Sequence, residues 1–178
     1  MTNDSRLSQW LDKLEIHELV MKLARGIDRC DAALIASVFW PDATDDHGIF
    51  TGSASEFVAW VIPVLRGMER TQHAIANVLV DVRGDRGFSE SYFSAYHRVV
   101  EAGAERDMFA AGRYLDRCER RSGEWRIAHR QTVYDWTMNQ PASDDAWRRA
   151  PMSSLIERGA RGDADRSARD KRAYLGLG

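Results

Sequence analysis

The stretch "ERTQHAIANVLVDV", residues 69–82, is where the chain changes its hydrophobic period. Before it, apolar residues recur at three- and four-residue steps. From Thr71 onward they alternate, the pattern of a strand half buried against a core. Strict alternation places Val78, Val80 and Val82 on one face and Thr71, His73, Ile75, Asn77 and Leu79 on the other. An imidazole thus stands on a mostly apolar face. His73 is either a structural residue that has found a partner or a base facing a substrate.

Working outward, three more strand-like runs follow: Phe88–Glu101, Asp107–Arg120 and Glu124–Trp136. The turn sequences "GDRG", "AGAER" and "RSGE" separate them, which predicts an antiparallel meander rather than parallel crossover units. Upstream, Leu7, Leu11, Leu14, Val20, Ala24 and Ile27 predict a long amphipathic helix, and Asp31 caps a short one ending near "WPDA". "DDHGIFTG" reads as a short strand and turn. "SASEFVAWVIPVLRGM" is a third helix, with Ser53 and Glu56 forming a capping box and Pro63 expected to bend or shorten it. Helices first and sheet second give an α+β fold, a curved antiparallel sheet wrapped around N-terminal helices to form a cone with an internal pocket. That domain spans 1–140. Residues 141–178 form a tail, partly helical or in contact with another subunit, with short helices expected over Asp144–Arg149 and Ser153–Arg158.

Composition removes several function classes. The 178 residues are 44% hydrophobic and 29% charged, as in one globular domain. Net charge is −2, and the arginines of the tail alternate with acids, so neither nucleic acid nor an anionic membrane is an expected partner. No apolar run approaches the ~18–20 residues of a membrane span. The N-terminus lacks a signal-peptide pattern, and Cys30 and Cys118 are too far apart for a metal or redox motif. Reduced thiols and a cytoplasmic location are expected. The five histidines show no HxH or HxxxH spacing, so no metal is expected.

Chemistry must then come from polar residues on apolar faces. Asp28 continues the four-residue steps of Val20 and Ala24, on the buried ridge near the helix C-terminus, where a carboxylate is disfavoured unless paired. It either turns to solvent, pairs with Arg25 or Arg29, or meets a histidine. A carboxylate on one imidazole nitrogen fixes the tautomer and leaves the other nitrogen free to take a proton. In the last strand Arg126, Ala128, Arg130, Thr132, Tyr134 and Trp136 share one face, and Trp125, Ile127, His129, Gln131, Val133 and Asp135 the other. Neither face is cleanly apolar. Arg130 is a candidate for holding an anion or leaving group. Tyr96 shares a face with Tyr92 and Arg98, opposite Phe93, Ala95 and His97.

The segments "IHELVMKLARGIDRCD", "VFWPDATDDHGIFTG", "TQHAIANVLVDV" and "GRYLDRCERRSGEWRIAHR" together resemble SnoaL-like members of the nuclear-transport-factor-2-like superfamily. They are similar to the branch holding hexachlorocyclohexane dehydrochlorinase, scytalone dehydratase and bile-acid dehydratase. The resemblance implies a lyase without cofactor in which His73 is the base and Asp28 its carboxylate. Arg130 matches a pocket arginine, and Trp40 lies near a pocket aromatic. A pocket lysine of the dehydrochlorinase has no counterpart, since Lys22 and Arg25 are out of register. Tyr134 or Tyr96 would join Arg130 in binding the oxygens of a small hydrophobic or aromatic substrate, with loss of water or a small aldehyde such as formaldehyde. A homodimer or homotrimer is implied. Alternatives are a non-catalytic small subunit of a ring-hydroxylating dioxygenase or a ligand-binding module, and an isomerase of the ketosteroid type.

Overall fold

The computed structural model describes residues 3–143 and 146–176, and for Asn3 and Trp147 the backbone alone. Helix α1 (Asn3–Arg29) leads into α2 (Ala32–Ser37), strand β1 (Phe39–Asp46), β2 (Thr51–Ser53) and α3 (Ala54–Gly67). Strands β3 (Arg70–Arg83), β4 (Arg86–Glu101), β5 (Ala104–Arg121) and β6 (Glu124–Pro141) form the expected meander. The six strands make one sheet in the order β2-β1-β6-β5-β4-β3. Among the described residues the one departure from antiparallel pairing is β1 on β6, which is parallel. A curled, unclosed sheet with helices in its concavity is the α+β cone that the period change predicts.

Local chemistry accounts for the helices. Asp31 caps α2 by accepting from Leu34 N–H, and Ser53 and Glu56 close a reciprocal capping box on α3. Pro63 does not end α3, which runs to Gly67, because Val61, Ile62 and Leu65 around it are buried. "WPDA" does not end a helix but lies within β1, where the β6 pairing is irregular between Phe39 and Thr44 and tolerates Pro41. The core joins Ile16, Leu23 and Ile27 of α1, Phe57 and Leu65 of α3, and Trp125 and Ile127 of β6. Leu7, Leu11 and Leu14 are exposed, and in this part of α1 it is Asp12, bonded to Arg120 and Trp125, and the buried Ile16 that face the sheet.

Three irregularities set which side chains face inward. Asn77, with φ 47, sits at the register break of β3, so Thr71, His73 and Ile75 share the inner side with Val78, Val80 and Val82. The alternation expected across Asn77 therefore fails. In β6, the break opposite Arg117/Cys118 brings Trp125 and Ile127 onto the same side as Arg130 and Thr132, and the break opposite Ala111/Gly112 lets Tyr134 and Thr137 line one cavity. This explains why neither face of β6 reads as apolar.

In the tail, a 3₁₀ turn covers Ala146–Arg148, with Asp144 outside the described residues. Helix α4 is confined to Met152–Leu155, shorter than expected. Helix α5 (Arg166–Leu175), capped by Asp165 and closed by Gly176, was not anticipated.

Candidate functional site

Asp28 reaches the sheet because the last turns of α1 are anchored by Leu23, Ala24 and Ile27, all buried. The chain then reverses through Cys30, at φ 51. His73 lies on β3, one of the two edge strands of the sheet. Its backbone N–H donates to Asp28 Oδ2 at 2.9 Å, and its ring Nδ1 lies 2.7 Å from Oδ1 of the same carboxylate. With a carboxylate as acceptor, Nδ1 carries the hydrogen and Nε2 is the nitrogen left for a substrate. Both side chains are largely withdrawn from solvent, 8% exposed for His73 and 13% for Asp28. Of the partners open to Asp28, the structure selects the strand histidine.

The His73 ring faces a cavity of about 360 Å³ between α3 and the inner sheet. Its walls are apolar: Ile27, Trp60, Leu65, Met68, Phe93 and Met108. The polar groups are few: His47, His73, His97, Tyr114, Tyr134 and Thr137. An apolar chamber of this size with convergent polar groups suits a small organic ligand. On its outer side Asp28 also borders a polar cleft of about 610 Å³ between the body and residues 156–161.

The remaining expected site residues divide. Tyr134 lines the cavity, and its hydroxyl donates, at a long 3.5 Å, to the carbonyl of His47. Burial, and then the charge of Asp45, raise its pKa. Arg130 does not line the cavity. It is 1% exposed and grips Asp116 with two bonds of 2.6 and 2.7 Å, while its guanidinium lies 4.1 Å from the ring centroid of Tyr114. Burial presses Arg130 towards losing its proton, but the charge and hydrogen bonds of Asp116 more than offset this and raise its pKa. Tyr96 stands on the outer sheet face and donates to Asp107 at 2.8 Å, part of a cluster with Arg98 covered by Ser143. Trp40 lines a separate hollow beside α3, gives its indole N–H to the Glu119 carbonyl and stacks against Arg121 and Arg126.

Sequence reasoning missed two cavity histidines. His97 meets the His73 ring edge to face, with centroids 5.3 Å apart, and its Nδ1 has no hydrogen-bond partner among the described residues. Burial, with the proximity of His73, pushes its pKa down to about 4, so it is neutral in neutral solution. Its place beside Phe93 and Ala95 on one strand face was the available signal. His47 follows β1, stacks on Phe57 at 4.9 Å, and sets its Nδ1 2.8 Å from Asp45 Oδ1. The "DxH" spacing of a strand end was visible, but nothing local marked it as inward.

Among the described residues no three His, Cys, Asp or Glu side chains converge to hold a metal ion, and no helix is long and apolar enough to cross a membrane.

The fold recurs in solved structures. A hexachlorocyclohexane dehydrochlorinase from Novosphingobium barchaimii aligns with TM-score 0.69 and 20% identity, over 76% of this chain and 94% of its own. A scytalone-dehydratase-like protein from Novosphingobium aromaticivorans gives 0.66 and 16%, over 80% and 94%. A protein from Kribbella flavida gives 0.65 and 21%, over 72% and 93%. At these identities the likeness is one of fold. No curated protein matches. A SnoaL-like domain matches residues 8–131, a span that holds most of α1 with Asp28, β3 with His73 and most of the cone, and the chain belongs to the SnoaL-like family.

Proposed function

We propose that the protein is a cofactor-independent lyase in which His73 removes a proton from a small, hydrophobic, aromatic substrate and Asp28 holds the imidazole in the competent tautomer. The observation that carries this reading is the two-point attachment of His73 to Asp28, with the rest of the imidazole turned into an apolar cavity. Elimination needs a base, a dry chamber and a group to receive the developing charge. Tyr114, with the guanidinium of Arg130 against its ring, and Tyr134 are the nearest candidates for the last task. Arg130 thus serves the site through Tyr114 rather than by contact. Trp60 and Phe93 in the walls favour a planar substrate. Loss of water or of a small aldehyde fits the same base.

Exposed Leu7, Trp10, Leu11 and Leu14 on α1, and Tyr92, Trp136 and Met138 on the sheet, support a homo-oligomer. The buried, unpaired thiols of Cys30 and Cys118 support a cytoplasmic setting.

The test compares wild type with His73→Ala on β-hydroxy aromatic and diaryl compounds, following product mass. Loss of water or of a one-carbon aldehyde in the wild type alone is expected. Equal turnover by the variant removes His73 from the base role. A wild type inert on every compound, while co-purifying with a large iron-bearing subunit, favours the non-catalytic reading.

A further inference from the structure

The cavity holds a second imidazole braced by a carboxylate. His47 Nδ1 lies 2.8 Å from Asp45 Oδ1, and the ring is clamped against Phe57 with a 25° interplanar angle. Unlike Asp28, Asp45 is fully buried, and its Oδ2 has no hydrogen-bond partner among the described residues. It sits in register with Arg130 of β6, which is itself in register with Asp116 of β5. Two buried carboxylates therefore stand around one guanidinium that already gives both of its short bonds to Asp116. One negative charge is left over in a place where an unbalanced charge is strongly disfavoured. The proton-bearing neighbour of Asp45 is His47, and it is the member of this cluster that lines the cavity. The Asp28 carboxylate, by contrast, borders a cleft that also contains Arg29, Arg70 and Arg161. His73 is therefore not required to carry the balancing charge.

The two histidines enter from different margins of the sheet. His73 is on the β3 edge, and His47 follows β1, with β6, β5 and β4 between them. The curl brings both onto one chamber.

Resting on the lyase reading above, we propose that His47, charged by Asp45, is the general acid of the same reaction, so that the substrate class is one whose leaving group is a hydroxyl. His73 Nε2 takes a proton from carbon, and the C–H electron pair forms the new double bond. The C–O bond breaks toward oxygen, which takes the proton from His47 Nε2 and departs as water. His73 is left protonated and His47 neutral, and exchange with solvent resets both. Halide or carboxylate leaving groups depart as stable anions and need no such donor.

The experiment uses two probes that share one C–H bond and one product: 4-hydroxy-4-phenylbutan-2-one and its acetate ester. Both give the same conjugated enone, followed by absorbance. In His47→Gln, turnover of the hydroxyl probe is expected to fall by about 10²–10⁴-fold, the range of a general acid, while the acetate probe is spared. Asp45→Asn, which keeps the shape of the buried side chain, is expected to show the same selectivity and guards against a misfolded first variant. Equal losses on both probes would make His47 a structural residue and overturn the assignment. If wild type turns over neither probe, the lyase reading fails for this class, and nitrogen-15 NMR of the imidazoles decides the donor question separately. Two protonated ring nitrogens on His47 at neutral pH sustain it, and a bare Nε2 ends it.

Discussion

At the scale of single residues, Asp28, His73 and the cavity-lining Tyr134 were legible, while His47, His97 and the engagement of Arg130 were not. Asp28 stood on a buried helical ridge and His73 on an apolar strand face, so each needed a partner, and each is the other's. Nothing in sequence could tell that Arg130 would be taken by Asp116, because that pair is joined across a strand register and not along the chain. Replacing Asp28 by Asn retains the shape but not the charge. It is expected to lower the first-order rate constant by about 10²–10⁴-fold, with the cone intact by circular dichroism. A variant of near wild-type rate removes Asp28 from the mechanism. His97 makes a prediction of a different kind. Its pKa of about 4 in the folded chain lies below the 6.5 of the free side chain, so the unfolded state binds more protons between those values. The stability that goes with a neutral His97 is complete above pH 6.5. It is lost as pH falls towards 4, by an amount on the order of 3 kcal/mol. His97→Gln should flatten urea-midpoint against pH in that window. An unchanged slope would assign the acid sensitivity to other groups.

At the scale of elements, the chain announces its helices by period and caps, and its strands by alternation and turns. What alternation cannot announce is the residue at which it is broken. Asn77 is the instructive case, for Asn is among the residues that tolerate positive φ, yet a strand reading passes over it. Its extra residue turns His73 and the valines to one side, and without it the base or the core valines would face solvent. Asn77→Gly should therefore fold as well as wild type, whereas Asn77→Val should destabilise by roughly 1–3 kcal/mol through its left-handed backbone. Thermal unfolding of the two variants checks the order, and a Val variant as stable as the Gly variant contradicts the bulge. Gly112 guards the matching irregularity between β5 and β6. A Cβ there would lie 2.0 Å from the Val133 carbonyl oxygen and 2.9 Å from Tyr134 Cα, both backbone atoms. Gly112→Ala is expected to cost about 1–3 kcal/mol or more, and to displace Tyr134 from the cavity wall. A neutral substitution would mean that the bulge is not held by this contact.

For the whole molecule, the tail is the part the sequence conveyed least, because its mixed charges read as a solvated surface. In the structure Arg166, Arg169 and Arg172 pair with acids of the tail itself, and a few other residues tie the tail to the body. Arg161 donates to the Met68 carbonyl, and Asp165 lies 3.4 Å from Arg29, the neighbour of Asp28. Asp165 also accepts from the Ser167 hydroxyl and N–H and from Ala160 N–H, and the Ser167 hydroxyl and then the Ala160 N–H hold its carboxyl down at about 2. A lowered carboxylate pKa stabilises the fold above the ordinary 3.8, and that contribution is lost as pH falls through about 2, so near neutrality it is fully present. Residues 156–161 thereby form the outer wall of the cleft on which Asp28 borders, opposite the cavity that receives His73. Asp165→Ala removes four of these ties at once while leaving β3–β6 untouched. At neutral pH, amide exchange across 156–176 is expected to accelerate, with protection of the β4 and β5 amides unchanged. If exchange accelerates equally in the sheet, the tail is part of the cone's cooperative core and not a segment laid over it. If neither region changes, Asp165 does not hold the strap.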